Sequence, residues 1–267
     1  MKRFHFVYRF AVGLCLLLVA IGEYATATEY TPESGQPGKD VVWVPTPQGL
    51  VDTMLDMAQV TPSDYVIDLG SGDGRMVITA AKRGATAHGI EYNPDLVEFA
   101  RRAATKEGVA AKATFEKADI FESDFSQATV LAMYLLPSLN LRLRPIILDM
   151  KPGTRVVSFS FSMGDWKPDQ STTLTDNDTS RGTAHLWIVP AKVDGIWKLD
   201  DGKIIFTQEF QNIAGTLTRG EKDTMFTGKL DGNIISFTAG GTEYTGTVSG
   251  NTISGTHDGS GSWKATR

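Results

Sequence analysis

A strand that runs without a break into a glycine-rich turn and then into a helix commits the chain around it to a parallel α/β sheet. Tyr65-Val66-Ile67-Asp68-Leu69 reads as a short buried strand, Gly70 to Arg75 as the turn and Met76 to Arg83 as the helix. Parallel strands need crossover connections, usually helical, which cover both faces of the sheet. Glycines at such a turn let a ligand approach the backbone and tolerate positive φ. Their spacing restricts the ligand. A dinucleotide-binding turn is G-x-G-x-x-G, but here the position of the last glycine is Arg75. What stands instead is D-x-G-x-G-x-G, from Asp68 through Gly70 and Gly72 to Gly74, with Ser71 and Asp73 between the glycines.

The flanking sequence continues the alternation. Ala87 to Glu91 is a second strand ending in a carboxylate, with Tyr92 beside it. A carboxylate there can accept both hydroxyl protons of a ribose. Asn93-Pro94 opens a helix from Asp95 to Glu107, with Leu96, Val97, Ala100 and Ala104 on one face. A third strand, Ala113 to Lys117, leads into Ala118-Asp119-Ile120-Phe121. Ala128 to Tyr134 is a fourth strand, Ser138 to Met150 a helix, Gly153 to Phe161 a fifth strand and His185 to Val189 a returning one. Upstream, Thr46-Pro47 reads as a helix start, with Thr46 as the cap and Leu50, Met54 and Leu55 on the buried face. Ligands of open parallel sheets bind beyond the carboxyl ends of the strands, so residues after Met133 should face the reacting group. Tyr134 is the candidate catalytic side chain, a core tyrosine being the alternative. Asn140 and Arg144 are expected to cap and solvate their helix, and His88 to be a core or surface histidine. No His/Cys/Asp spacing suggests a metal site.

The D-x-G-x-G-x-G stretch resembles the first motif of the class I S-adenosylmethionine-dependent methyltransferases. Trp43 to Pro47, Val66 to Arg75, Ile90 to Pro94, Tyr134 to Pro145, Lys151 to Ser158 and Met163 to Trp166 together resemble a narrower group. These are the seven-strand enzymes related to the mitochondrial protein-lysine methyltransferases, with their bacterial relatives. The resemblance implies a Rossmann-like fold, S-adenosylmethionine as methyl donor and a protein side chain, by likeness lysine, as acceptor. It implies cofactor contacts at Asp68, Gly70, Ser71, Gly72, Gly74, Glu91, Tyr92, Asp119, Ile120 and Thr46. Asp68 would face the methionine amino group, Glu91 the ribose, Asp119 the adenine amine and Ile120 its ring, while Thr46 closes over the methionine end. Bacterial members of the group often carry a His-Asp segment on the fifth strand, where this chain has Ser158-Phe159-Ser160-Phe161.

Beyond Pro190 the period changes to two. Short runs such as Lys203 to Thr207, Thr224 to Leu230, Ile234 to Ala239, Thr242 to Val248 and Thr252 to Thr256 are separated by Asp-Gly, Gly-Asn and Gly-Gly turns. This is the pattern of an antiparallel meander closing into a small barrel or sandwich. Gly195-Ile196-Trp197 and Gly261-Ser262-Trp263 are related ends that should lie in one layer. Residues 41–190 are thus read as the methyltransferase domain and 191–267 as a β domain. At the other end, Lys2, Arg3 and Arg9, an apolar run from Phe10 to Ile21 and Ala25-Thr26-Ala27 read as a cleavable export signal over 1–27. A flexible lead-in would follow over 28–40. The expected location is periplasmic or secreted, an uncleaved anchor being the alternative. The single cysteine, Cys15, falls inside the apolar run. The net charge of −5 argues against nucleic acid as partner, and no stable membrane span is expected after cleavage. The competing functional reading is an exported, non-catalytic binding protein that keeps the scaffold and uses the β domain for interaction.

Overall fold

Hydrophobic pattern and turn chemistry build two cores in succession. The computed structural model describes residues 30–175 and 181–267; the expected signal, its cleavage site and Cys15 lie outside the described residues. The strands β1 (Tyr65–Leu69), β2 (Thr86–Glu91), β3 (Ala113–Lys117), β4 (Val130–Met133), β5 (Arg155–Phe159), β6 (Gln170–Leu174) and β7 (Gly182–Ile188) form one sheet. Their order is β3-β2-β1-β4-β5-β7-β6. β1 to β5 run parallel, and β7 is antiparallel to both β5 and β6. The helices are α1 (Gln48–Met57), α2 (Arg75–Lys82), α3 (Pro94–Lys106) and α4 (Pro137–Leu148). Leu50, Met54, Val77 and Val97, from α1, α2 and α3, share one buried cluster. Leu139, Leu143 and Ile147 of α4 share another with Trp166 and Trp187. α3 starts as its sequence dictates, with Asn93 accepting from the Asp95 N–H at 2.9 Å and Pro94 in the first turn.

The last eight strands close into a barrel: β8 (Gly195–Leu199), β9 (Gly202–Glu209), β10 (Asn212–Arg219), β11 (Lys222–Asp231), β12 (Ile234–Ala239), β13 (Thr242–Ser249), β14 (Thr252–His257) and β15 (Gly261–Thr266). Trp197, Phe206, Phe226, Phe237, Tyr244 and Trp263 form its core. β8 and β15, the strands carrying the two related ends, pair to close it. Val189 belongs to the core of the sheet and Ala191 to that of the barrel. Residues 31–267 make one compact unit. Among the described residues, no helix is long and apolar enough to cross a membrane.

Two strands are absent from the sequence reading, and β7 begins earlier than its His185 start. β6 is polar and exposed on the sheet edge, so it has no alternation to detect. β10 interrupts its alternation with Gly215, a position where a Cβ would collide with the Ile205 carbonyl.

At the amino-terminal end of the sheet, Asp64 is buried. It accepts from the Thr61 N–H at 2.8 Å, from Thr129 Oγ1 at 2.7 Å and from Arg155. Burial alone would raise its pKa, but the bonds from Thr61, Thr129 and Arg155 together hold it below the ordinary value. Its contribution is therefore complete above the unfolded value and is lost as pH falls through the lower folded one. Asp64→Ala leaves Arg155 without its carboxylate and is expected to cost about 3 kcal/mol, read from urea unfolding at neutral pH. A loss below about 0.5 kcal/mol would show that the network is not needed.

Candidate active site

The carboxyl ends of β1, β2 and β4 open onto a cavity of about 250 Å³. Asp68, Gly70, Ser71, Gly72, Glu91, Tyr92, Asp119, Ile120, Thr46 and Tyr134 all line it. Gly74, also expected there, does not. It is the residue before α2, with φ 82°, and an added Cβ would lie 2.7 Å from the Phe115 ring and 2.8 Å from Ala100. Packing beneath the turn by itself requires glycine here.

The turn is held open by its own backbone. The N–H groups of Gly70 and Ser71 both donate to the Ile90 carbonyl, at 2.8 and 3.1 Å. Glu91 Oε2 accepts from the Gly72 N–H at 3.0 Å, and Oε1 accepts from the Asn93 N–H at 2.8 Å. The carboxylate therefore ties the glycine-rich turn to the start of α3 and keeps further acceptor capacity for a diol. Ser71 Oγ is buried without a hydrogen-bond partner. Asp68 is buried among Glu91 and Asp73, and desolvation first, then those two charges, push its carboxyl up to about 8. A buried acid destabilised by its neighbours is a ready partner for a cation, as an ammonium or sulfonium would be.

Residues 38–46 roof the cavity. Lys39 pairs with Asp119 and lies 5.0 Å over the Tyr92 ring. That pairing, then the Phe121 N–H on Oδ1, holds the Asp119 carboxyl below its usual range. Trp43 covers Gly72 so closely that any side chain at Gly72 would strike the indole. Backbone bonds between Gly35 and Trp43 (2.8 Å) and between Trp43 and Gln36 (2.9 Å) fold this stretch back on itself. The lead-in expected over 28–40 is thus, from Gly35 onward, a strap across the site. Lys39→Ala is expected to loosen the strap and speed amide hydrogen exchange at Trp43 several-fold at low salt. An unchanged rate would show that Lys39 does not hold the strap.

Thr46 is not a helix cap. Pro47 occupies that position without a side-chain bond, and the Thr46 carbonyl accepts from Arg75 Nη1 at 2.8 Å. Arg75 is held in turn by Asp73, with Nε 3.0 Å from both carboxylate oxygens. Tyr134, one residue past β4, packs against Phe159 (ring centroids 4.3 Å) and Phe161 (6.0 Å), and burial raises its pKa. Asn140 and Arg144 do not solvate α4. Asn140 is fully buried and donates to the carbonyls of Phe161 (3.3 Å) and Ser162 (3.2 Å), while Arg144 donates to that of Met163 at 2.8 Å. His88 is half-buried, with Nδ1 2.8 Å from Thr114 Oγ1. Lys39, Arg75 and Asn140 carried no signal beyond ordinary surface or helix polarity. Trp43 stood inside a family-like stretch, but no rule of spacing gave it a role.

A family model, the ANTKMT methyltransferase domain, matches residues 68–170. A protein-lysine N-methyltransferase of Saccharolobus islandicus (strain REY15A) is 40% identical over 152 residues, 56% of this chain and 94% of that protein. The chain belongs to the class I S-adenosylmethionine-dependent methyltransferases. A solved structure described as an RNA methyltransferase from Salinibacter ruber, in complex with S-adenosyl-L-homocysteine, is 47% identical with a TM-score of 0.53. It covers 56% of this chain and 96% of that one. The adenine nucleotide translocase lysine N-methyltransferase of Mus musculus is 34% identical over 120 residues, 44% of this chain and 52% of that protein. S-adenosylmethionine is the methyl donor of this methyltransferase. The chain's own residues suit it: an unpartnered Ser71 hydroxyl, an acidic Asp68 in want of a cation, and a backbone cradle at Gly70 and Gly72. The family match ends at residue 170, ahead of the barrel.

Proposed function

We propose that this methyltransferase modifies the ε-amine of lysine side chains in a protein acceptor. The observation that carries the reading is the 40% identity to an archaeal protein-lysine N-methyltransferase across 94% of that protein. In this reading Asp68 holds the methionine ammonium, Glu91 the ribose hydroxyls and Asp119 the adenine amine. Ile120 and Tyr92 flank the base, Gly70, Ser71 and Gly72 supply backbone and hydroxyl contacts, and Thr46 closes the methionine end. S-adenosylmethionine supplies, when bound, a methyl group on a positively charged sulfur. The protein contributes alignment, which accounts for much of the acceleration in a displacement of this kind. The acceptor amine must be neutral to attack, and its reference pKa is about 10.4. The apolar surround of Tyr134 and Phe161 disfavours the ammonium form and lowers that value. Tyr134, kept protonated by burial, orients the amine as a hydrogen-bond partner rather than removing its proton.

An RNA acceptor would be gripped through phosphates by a basic surface, and the net charge of −5 argues for protein instead. Incubating the protein with tritiated S-adenosylmethionine and a bacterial extract, followed by complete hydrolysis, should return the label as methylated lysine. Label recovered as methylated nucleosides, and lost on ribonuclease treatment, would overturn the assignment. We also read residues 1–27 as an export leader. Amino-terminal sequencing of the protein from fractionated cells should then begin at Thr28 in the periplasmic or secreted fraction, and an intact Met1 in the cytoplasm would refute it.

A further inference from the structure

The barrel lies outside the family match, yet one of its turns packs against Trp166 and Lys167, in the segment that follows the cavity-lining Phe161. Every other two-residue hairpin turn of the barrel carries Gly, Asn or Asp: Asp200-Asp201, Gly220-Glu221, Gly232-Asn233, Gly240-Gly241 and Gly250-Asn251. The β9–β10 turn is Phe210-Gln211, and Phe210 sits at φ 54°, where a bulky side chain is strained. What the turn gains is contact with the sheet. The Phe210 ring stacks on Trp166 at 6.0 Å between centroids, and the Arg144 guanidinium lies 5.3 Å over it. Gln211 is buried and donates to the Lys167 carbonyl at 2.9 Å.

The segment so held is itself strained. Ser160 has φ 65°, and the Phe161 N–H donates to the Phe159 carbonyl at 2.7 Å, a three-residue turn of the rare positive-φ kind. This turn leaves Phe161 lining the cavity against Tyr134. Asn140 and Ser158 secure the Phe161 carbonyl from below, and Arg144 the Met163 carbonyl. Strain of this sort persists only where the surroundings over-determine it. We propose that the β9–β10 turn of the barrel is a positioning element of the active site, with Phe210 on Trp166 and Gln211 on Lys167 anchoring the end of segment 160–167 so that Phe161 forms the acceptor-side wall. This rests on the methyltransferase reading of the cavity and makes the barrel a working part of it.

The test uses the full chain with 4-fluorophenylalanine at position 161, read by fluorine NMR, and S-adenosylhomocysteine affinity read by calorimetry. Phe210→Ala should shift and broaden the 161 resonance while S-adenosylhomocysteine affinity stays within about threefold, and Phe210→Tyr should restore the wild-type signal. Gln211→Ala should produce a smaller shift in the same direction, and it carries the test if Phe210→Ala does not fold. A 161 resonance unmoved in either folded variant overturns the proposal. So does a movement matched by Phe210→Tyr, or one accompanied by collapse of S-adenosylhomocysteine affinity, which would indicate general loosening. Absence of S-adenosylhomocysteine binding by the unsubstituted chain would instead remove the cofactor reading, a distinguishable failure.

Discussion

Affinity for S-adenosylmethionine is expected to rise steeply with pH, by about tenfold per unit from about pH 6 toward the Asp68 pKa near 8. Before ligand binds, Asp68 holds its proton below that value, because burial and the Glu91 and Asp73 carboxylates oppose its ionisation. A cationic amine favours the ionised form, so binding releases a proton, and the lower the pH the more that release costs. Near about pH 8, where Asp68 is ionised, the curve should peak, and above it affinity should fall as the ligand's own α-amine, with a pKa of about 7.7–8.0, loses its charge. Calorimetry in buffers of different ionisation enthalpy should find close to one proton released per ligand near pH 6.5. Asp68→Asn should abolish the release, flatten the profile and weaken binding at about pH 8 by about 30- to 100-fold, the worth of one charge-assisted hydrogen bond. The same carboxyl works against stability. Its folded pKa lies above the unfolded value of about 3.9, so between the two the folded state holds more protons and stability falls as pH rises. The Asn variant should accordingly melt higher than the native chain at about pH 8 while binding less. A native profile with no pH dependence over this range would remove Asp68 from the site.

Glu91→Ala is expected to be the more damaging substitution. It removes the acceptor of the Gly72 N–H and of the Asn93 N–H, so the glycine-rich turn loses its tie to α3, and in the proposed reading the ribose loses its partner as well. Two charge-assisted bonds to the ribose hydroxyls at about 1.5–3 kcal/mol each amount to about 3–6 kcal/mol, or roughly 10²- to 10⁴-fold in Kd. Glu91→Gln should recover little, since its amide presents one oxygen to two backbone donors and turns an NH₂ toward the other. Titration with S-adenosylhomocysteine checks both, with circular dichroism to verify the fold. Affinity within about threefold of the native chain would refute the ribose assignment.

Much of the site was legible because a ligand-binding turn restricts residues that are adjacent in sequence. Asp68, Gly70, Ser71 and Gly72 are neighbours, and Glu91, Asp119 and Tyr134 each follow the end of a strand or close it. Strand order then brings those ends together. At Gly74 the motif prescribes glycine without saying whether a ligand or Phe115 needs the space. Asn140 and Arg144 look like solvated helix polarity because nothing local indicates that unpaired carbonyls at Phe161, Ser162 and Met163 will arrive from another element.

The sequence alone determined the α/β class, the change to a two-residue period after Pro190 and the acidic positions at the strand ends. These rest on periodicity, on turn residues and on the steric freedom of glycine, all of which act within a few residues. Only the tertiary structure decided that residues 35–46 strap the cavity through Lys39 and Trp43, and that the Phe210-Gln211 turn supports the strained segment beside Phe161. Those contacts join parts of the chain far apart in sequence. Their stabilisation comes from burying groups against one another, and no local pattern encodes which partner that will be.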